Sequence, residues 1–265
     1  MTRQEQFMKK HKRFHRMIAL SQAGLFLSLL VLWEAAARLQ WLDSFFFCSP
    51  SIVVSCFIKM LLGEQLMMHI GYSLLEIAIS FVIIFISSFL IAVLLWYYLA
   101  LSRILEPFLV VLNALPKSAL APLFIVWIGT GTKTIIVAGI SVALFGSIIN
   151  LYSGFRETDP EKILLIQTLG GDRLDILTKV VIPAAVPNII SVMKVNIGLA
   201  LVGVIIGEFF AGRRGLGYLI IYGTQVFKLD MVLTSIIILC FLAMVLYKIV
   251  QYLEHIYLRS GTLAK

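Results

Sequence analysis

Apolar residues in this chain run together in long blocks and do not alternate. Residues 71–97, GYSLLEIAISFVIIFISSFLIAVLLWY, contain one charge, Glu76. A half-buried strand would alternate with period two, and an amphipathic helix would repeat near 3.6. An unbroken block of this length marks a helix that crosses a bilayer, which needs about 20 residues. Six such blocks lie near 17–37, 71–97, 106–128, 134–153, 194–211 and 231–253. The pattern predicts an all-α polytopic membrane protein with about six transmembrane helices.

The longest charged interruption falls between blocks four and five. From Arg156 to Lys179 there are nine charged residues. At roughly 2.5–3.5 kcal/mol each near a bilayer centre, inserting them would cost more than about 20 kcal/mol. The segment of about 154–190 therefore stays in water. Its own pattern is that of two short helices. Thr158 with Glu161 forms a capping box, or Asp159 caps with Pro160 in the first turn. Gly170-Gly171 ends the first helix. Asp172 caps a second, RLDILTKVV, which Pro183 is expected to stop. Leu174, Leu177 and Val181 share one side of it, while Asp175 and Lys179 point away. That stripe packs on the chain's own helix ends or on a separate partner.

Composition agrees with the pattern: 60% of residues are hydrophobic and 14% charged, with a mean hydropathy of +0.99. The net charge of +8 is scattered through loops instead of gathered on one face, so no nucleic-acid partner is expected. Residues 1–16 carry six Lys or Arg before the first apolar block, which reads as a basic cytoplasmic tail followed by a retained anchor helix. The membrane domain is then 17–265. Starting inside, six crossings put thirteen basic residues in the cytoplasm, Lys265 among them, against six outside. This bias predicts a multi-pass protein of the cell membrane with both termini and the 154–190 segment cytoplasmic. Its lipid-facing helices take membrane lipid as a partner.

The three cysteines, Cys48, Cys56 and Cys240, form no disulfide framework. They read as small buried apolar residues, although Cys48 and Cys56 could pair outside the cytoplasm. The string GTGTKT, 129–134, lacks the Gly-Lys-Ser/Thr of a phosphate-binding loop and reads as a hairpin turn. Four scattered histidines suggest no metal centre, and no Ser-His-Asp set is legible. The chain is expected to be non-catalytic and to bind no cofactor of its own.

The polar segment resembles the cytoplasmic loop of the inner-membrane permease subunits of binding-protein-dependent ABC importers. That loop carries Glu-Ala-Ala, three residues, Gly, nine residues, then Ile-x-Leu-Pro. Here Gly170 supplies the Gly, and Val180, Val181, Ile182 and Pro183 supply the end. TLGGDRLDILTKVVIPAAVP is similar to the subgroup handling aliphatic sulfonates, taurine, nitrate and pyrimidine precursors. So are LWEAAARLQWLDSFFFCSPS (32–51), LPKSALAPLFIVWIGTG (115–131) and GEFFAGRRGLGYLI (207–220). Leu164, Leu165 and Ile166 stand in place of the Glu-Ala-Ala triplet, so its Glu is missing, and Glu34-Ala35-Ala36 is at the end of the first block. The resemblance implies an ATPase-coupling element made by Gly170, Gly171, Asp172, Arg173, Leu174, Leu177, Ile182 and Pro183. It also implies a separate ABC ATPase holding ATP and Mg, an extracytoplasmic solute-binding protein and a second copy of the chain. Gly215, Leu216, Gly217 and Tyr218 would form a short outer helix against which the binding protein docks.

Candidate pathway residues are Asn113, Lys117 and Glu208. Lys117 falls near the middle of block three, between Pro116 and Pro122. It reads as a cavity-lining cation for an anionic solute, or as a residue at a helix break. Glu208 closes an outer gate or reaches the headgroups. Glu76 is placed near the outer interface. Gly198, Gly203 and Gly207 allow close helix contact. The expected function is a permease for a small anionic solute of the sulfonate, taurine or nitrate type, with a pyrimidine- or thiamine-precursor solute as the alternative. An ATP-independent transporter or channel explains the spans and Lys117, but not the capped loop.

Overall fold

A computed structural model describes residues 3–39, 48–63 and 65–262. The 40–47 part of the 32–51 stretch, and Lys265 of the charge count, lie outside the described residues. Among these the chain is helical throughout: α1 (Arg3–Arg38), α2 (Pro50–Leu62), α3 (Gln65–Tyr97), α4 (Leu99–Ala114), α5 (Lys117–Ile128), α6 (Thr132–Arg156), α7 (Pro160–Thr168), α8 (Arg173–Ile176), α9 (Ile182–Ala211), α10 (Leu216–Gln225) and α11 (Leu229–Thr262).

Five stretches are long and apolar enough to cross a membrane: Leu20–Arg38, Leu66–Tyr97, Thr132–Arg156, Arg173–Ala211 and Leu229–Tyr252. The sixth expected crossing, 106–128, is not one helix. α4 and α5 meet at an angle of 95°. The cause is local. Pro116 has no N–H to continue the α4 ladder, and its ring pushes Leu115 into extended backbone at φ −59°, ψ 139°.

Two further boundaries differ from the sequence reading. α2 is a short apolar helix that the block pattern did not separate. Its start is capped by Ser49, whose hydroxyl accepts the Ile52 N–H. Glu34 ties α1 to it by accepting from Ser51 N–H at 3.1 Å and Ser51 Oγ at 3.0 Å. Pro183 does not stop the helix that begins at Arg173. The chain passes through a π-turn, Leu177–Val181, and continues to Ala211. In that turn the Ile182 N–H reaches back five residues to the Leu177 carbonyl. The shifted ladder takes up the disruption that a proline, lacking its own donor, brings to a regular helix.

α6 and α9 form the centre and run antiparallel. Gly131 N–H, at the start of α6, donates to the Ala211 carbonyl at the end of α9 at 3.1 Å. At the other end, the Asn188 side chain donates to the Asn150 carbonyl at 3.2 Å. Their backbones touch where glycine removes the side chain. A Cβ on Gly203 would sit 2.7 Å from Gly139 Cα, and one on Gly207 2.8 Å from Ile135 Cα. Gly198 faces open space, so it takes no part in this approach. Ser147 Oγ donates to Asn196 Oδ1 at 2.5 Å across the same seam. Close backbones and buried polar bonds suit a setting in which lipid supplies little hydrophobic drive between helices.

Candidate functional site

The α7–α8 segment lies at the 154/188 end of the α6–α9 pair, and both of its helix starts are capped by aspartate. Asp159 Oδ1 accepts the Glu161 N–H at 2.9 Å, with Pro160 in the first turn. Thr158 is not the cap, because its hydroxyl turns back to the Phe155 carbonyl at 3.0 Å. α7 closes at Gly170, in the left-handed region at φ 80°, and the Gly171 N–H returns to the Ile166 carbonyl at 2.9 Å. A full capping box then opens α8. Asp175 N–H donates to Asp172 Oδ1 at 2.7 Å, and Asp172 N–H to Asp175 Oδ2 at 3.3 Å. Lys179 pairs with Asp175 at 2.6 Å on the exposed side.

The expected stripe divides. Leu177 and Val181 are buried, with Ile176 beside them, in a core shared with Leu95 of α3 and Leu151 and Phe155 of α6. Leu174 is 57% exposed. Leu174 is therefore removed from the self-packing set, because α8 turns its first apolar residue outward while the π-turn rotates Leu177 inward. Leu174 joins Leu164, Leu165 and Leu169, which are 59%, 58% and 75% exposed. Arg173 anchors the segment sideways, donating from Nη1 to the Tyr97 carbonyl at the end of α3 at 2.8 Å. A cleft of about 390 Å³ separates α7 from the start of α9, bordered by Lys162, Leu165, Ile166, Lys179, Val180 and Pro183. The chain thus presents exposed leucines on a segment whose other side is fixed to α3, α6 and α9.

At the opposite end, the start of α10 is held by side chains of α3 and α9. Gly215 N–H donates to His69 Nδ1 at 3.0 Å, Leu216 N–H to Ser73 Oγ at 2.8 Å and Gly217 N–H to Glu208 Oε2 at 2.5 Å. Ser73 Oγ donates onward to Glu208 Oε1 at 2.6 Å. The Glu208 carboxylate thus meets one helix-initiating amide directly and a second through Ser73, at the positive end of the helix dipole. Glu208 is 1% exposed, so it does not reach the headgroups. The glycines make room for it: a Cβ on Gly215 would fall 2.2 Å from Glu208 Oε1, and Gly215 has φ 107°.

This corrects the expected docking surface. The short helix exists, but Gly215, Leu216 and Gly217 face inward and are buried, while Tyr218 is half-buried and stacks on His69 at 5.9 Å. What the end exposes is Arg213 and Arg214. Arg214 donates to the Tyr72 hydroxyl and lies over its ring at 5.0 Å. Glu76 is also buried, not interfacial, at 2% exposure. His69, Ser73 and Tyr72 were not singled out from the sequence. A signal was there: His69, Ser73, Glu76 and Ser80 recur at steps of four, three and four in an apolar helix, and all four are buried.

Lys117 does not lie in the middle of a span. It is the first residue of α5, and its ammonium donates to the Asn113 carbonyl, an α4 end group that the break leaves without a helical donor. Asn113 is exposed, and its side chain lies against Gly146 of α6. The GTGTKT string makes the α5–α6 turn with its first three residues, Gly129 at φ 91° and Gly131 at φ 120°, and opens α6 with the rest. Cys48 and Cys56 are buried free thiols, and Cys240 is exposed, so only two of the three fit the expected burial.

Comparison with known proteins fits this geometry. Residues 89–257 match the family model described as binding-protein-dependent transport system inner membrane component. A probable ABC transporter permease protein of Haemophilus influenzae is 30% identical over 88% of this chain and 94% of its own length. The formylaminopyrimidine transport permease protein ThiX of Halalkalibacterium halodurans is 27% identical over 91% and 95%. The taurine transport system permease protein TauC of Escherichia coli is 24% identical over 87% and 86%. Among solved structures, an inward-facing conformation of the MetNI methionine ABC transporter aligns with a TM-score of 0.63 at 18% identity. It covers 75% of this chain and 97% of that one.

Proposed function

This chain belongs to the family of binding-protein-dependent transport system inner membrane components and is a permease subunit of an ABC importer; on that premise we propose that it carries a small anionic solute by alternating access driven by a separate ATPase. The solute class is the sulfonate, taurine or nitrate type, with a pyrimidine- or thiamine-precursor as the alternative. Similarity to TauC and ThiX supports both classes. Two copies of the chain form the pathway. The α7–α8 end faces the cytoplasm and the α10 end faces the binding protein, an orientation the basic-residue bias supports.

The observation that carries the reading is the two-sided α7–α8 segment. Leu164, Leu165, Leu169 and Leu174 are exposed, while Leu177 and Val181 are buried and Arg173 holds the α3 terminus. A partner gripping the leucines would move α3, α6 and α9 together, because packed side chains transmit displacement. The Glu-Ala-Ala triplet of related loops is replaced here by Leu164, Leu165 and Ile166, which removes its one acidic residue, so apolar contact takes the larger share of that grip.

The test is co-expression with an ABC ATPase subunit from the same genome. Leu169→Glu combined with Leu174→Glu leaves the membrane domain folded and monodisperse, but strips the ATPase from it on purification and abolishes ATP-dependent uptake in vesicles. Retained ATPase and normal uptake would overturn the coupling role.

A further inference from the structure

A cavity of about 420 Å³ opens at the α10 end, between α2, α3, α10 and the start of α11. Its floor is apolar: Met60, Leu66, Leu219 and Met231 belong to the core beneath it. Lys59 of α2 and Lys228 of the α10–α11 turn also line it, and both are exposed. Two stretches long and apolar enough to cross a membrane, Leu66–Tyr97 and Leu229–Tyr252, begin at this cavity. It therefore lies where apolar spans give way to charge, at the depth of lipid headgroups.

The other polar groups of the cavity are already engaged. His69 Nδ1 accepts the Gly215 N–H at 3.0 Å. Asp230 Oδ1 accepts the Met231 N–H at 2.8 Å in the first turn of α11. Neither ammonium forms an ion pair: among the described residues those pairs are Arg38–Glu34 and Lys179–Asp175. Yet both lysines are fixed by their backbone. Gly63 N–H closes α2 on the Lys59 carbonyl at 3.0 Å. Lys228 N–H donates to the Gly223 carbonyl at 2.8 Å, where a Cβ on Gly223 would stand 2.8 Å from Val232 Cγ2. Exposed apolar side chains flank each charge, Leu61 and Leu62 beside Lys59, Val226 and Phe227 beside Lys228. Phe227 is in the left-handed region at φ 58°, rare for a bulky residue, so strain is tolerated to hold that ring at the surface. Two unpaired cations set among apolar side chains, above an apolar floor, suit a molecule with an anionic head and hydrocarbon tails.

We propose that this cavity holds an anionic phospholipid, its phosphate between Lys59 and Lys228 and its acyl chains along the exposed apolar face of α2. Charge selects the head: the two lysines outnumber the one carboxylate that lines the cavity, Asp230. The apolar surround and the position at the ends of two spans select a lipid over a soluble organophosphate. The proposal needs only that the chain spans a membrane, so it stands apart from the coupling and solute readings.

The test uses the full chain purified in detergent, with lipid retention read by native mass spectrometry. The probes are phosphatidylglycerol and phosphatidylethanolamine with the same acyl chains. Phosphatidylglycerol is expected to be held about twentyfold more tightly, from about fivefold for each lysine that meets an anionic head. Lys59→Gln with Lys228→Gln brings the two lipids to about equal retention, and Lys59→Arg with Lys228→Arg keeps the preference. Lys133→Gln with Arg213→Gln removes the same charge from exposed positions at the same end but outside the cavity, and leaves the preference in place. Equal retention of the two lipids by the wild-type chain, a preference that survives Lys59→Gln with Lys228→Gln, or its equal loss in the Lys133 and Arg213 variant overturns the proposal. Displacement of the lipid by free glycerol 3-phosphate also overturns it, because the occupant is then a soluble anion. If the Lys59 and Lys228 variant keeps its lipid preference but loses uptake supported by a solute-binding protein, the lysines serve a protein surface and the lipid site falls.

Discussion

Glu208 and Gly217 are joined by a 2.5 Å hydrogen bond in which the backbone N–H at the start of α10 donates to the carboxylate in the last turn of α9. The bond explains the pattern of the intervening sequence. Glycine at 215 and 217 leaves room for the carboxylate, since a Cβ on Gly217 would stand 2.8 Å from Glu208 Oε2. The turn of Arg213 and Arg214 is thereby fixed against α3.

Glu208→Ala strands the Gly217 amide and the Ser73 hydroxyl in a buried site. The expected loss is about 1–3 kcal/mol for each unsatisfied group. Glu208→Gln loses less, because one side-chain oxygen still accepts. Thermal unfolding in detergent should rank wild type above Gln and Gln above Ala. Equal midpoints for all three would show that the network contributes nothing.

Glycine substitutions separate the seam from the open face. Gly203→Ala drives a methyl group against the Gly139 backbone and should destabilise by about 1–3 kcal/mol, as overpacking does. Gly198→Ala meets nothing within 4 Å and should stay within about 0.5 kcal/mol of wild type. Melting of the two single variants side by side checks this, and equal shifts refute the assigned seam.

In the α7–α8 segment, Leu177→Ala removes a buried side chain and should cost about 2–5 kcal/mol. Asp172→Ala removes the cap of α8 and costs about 0.5–2 kcal/mol. Leu174→Ala should leave the melting point of the isolated chain unchanged, because Leu174 is exposed. A fall in stability with Leu174→Ala as large as with Leu177→Ala would contradict the division of the stripe.

The thiols report burial directly. Burial pushes the Cys48 and Cys56 thiols up from their ordinary range, which keeps them protonated and slow to react. Cys240 is exposed on α11. In folded, detergent-solubilised protein a maleimide should add one label, and mapping should place it at Cys240. After denaturation three labels are expected, and early labelling at Cys56 would refute the packing of α2.

The sequence alone determined the membrane class, the charged interruption from Arg156 to Lys179 and the cap at Asp172, because these depend on local composition and on groups a few residues apart; for the first short helix it left Thr158 and Asp159 both open as caps. Gly170 as the helix stop was legible for the same reason. Tertiary structure decided the rest. Whether Pro183 ends a helix depends on a π-turn that the surrounding core holds in place, and whether Leu174 or Leu177 is buried depends on where α3 and α6 stand. Glu208 and Ser73 are 135 residues apart in the chain, and no local pattern says that they meet. Burial of a polar side chain in a membrane protein is set by a partner on another helix, so the carboxylates showed their roles only once α3, α9 and α10 were packed together.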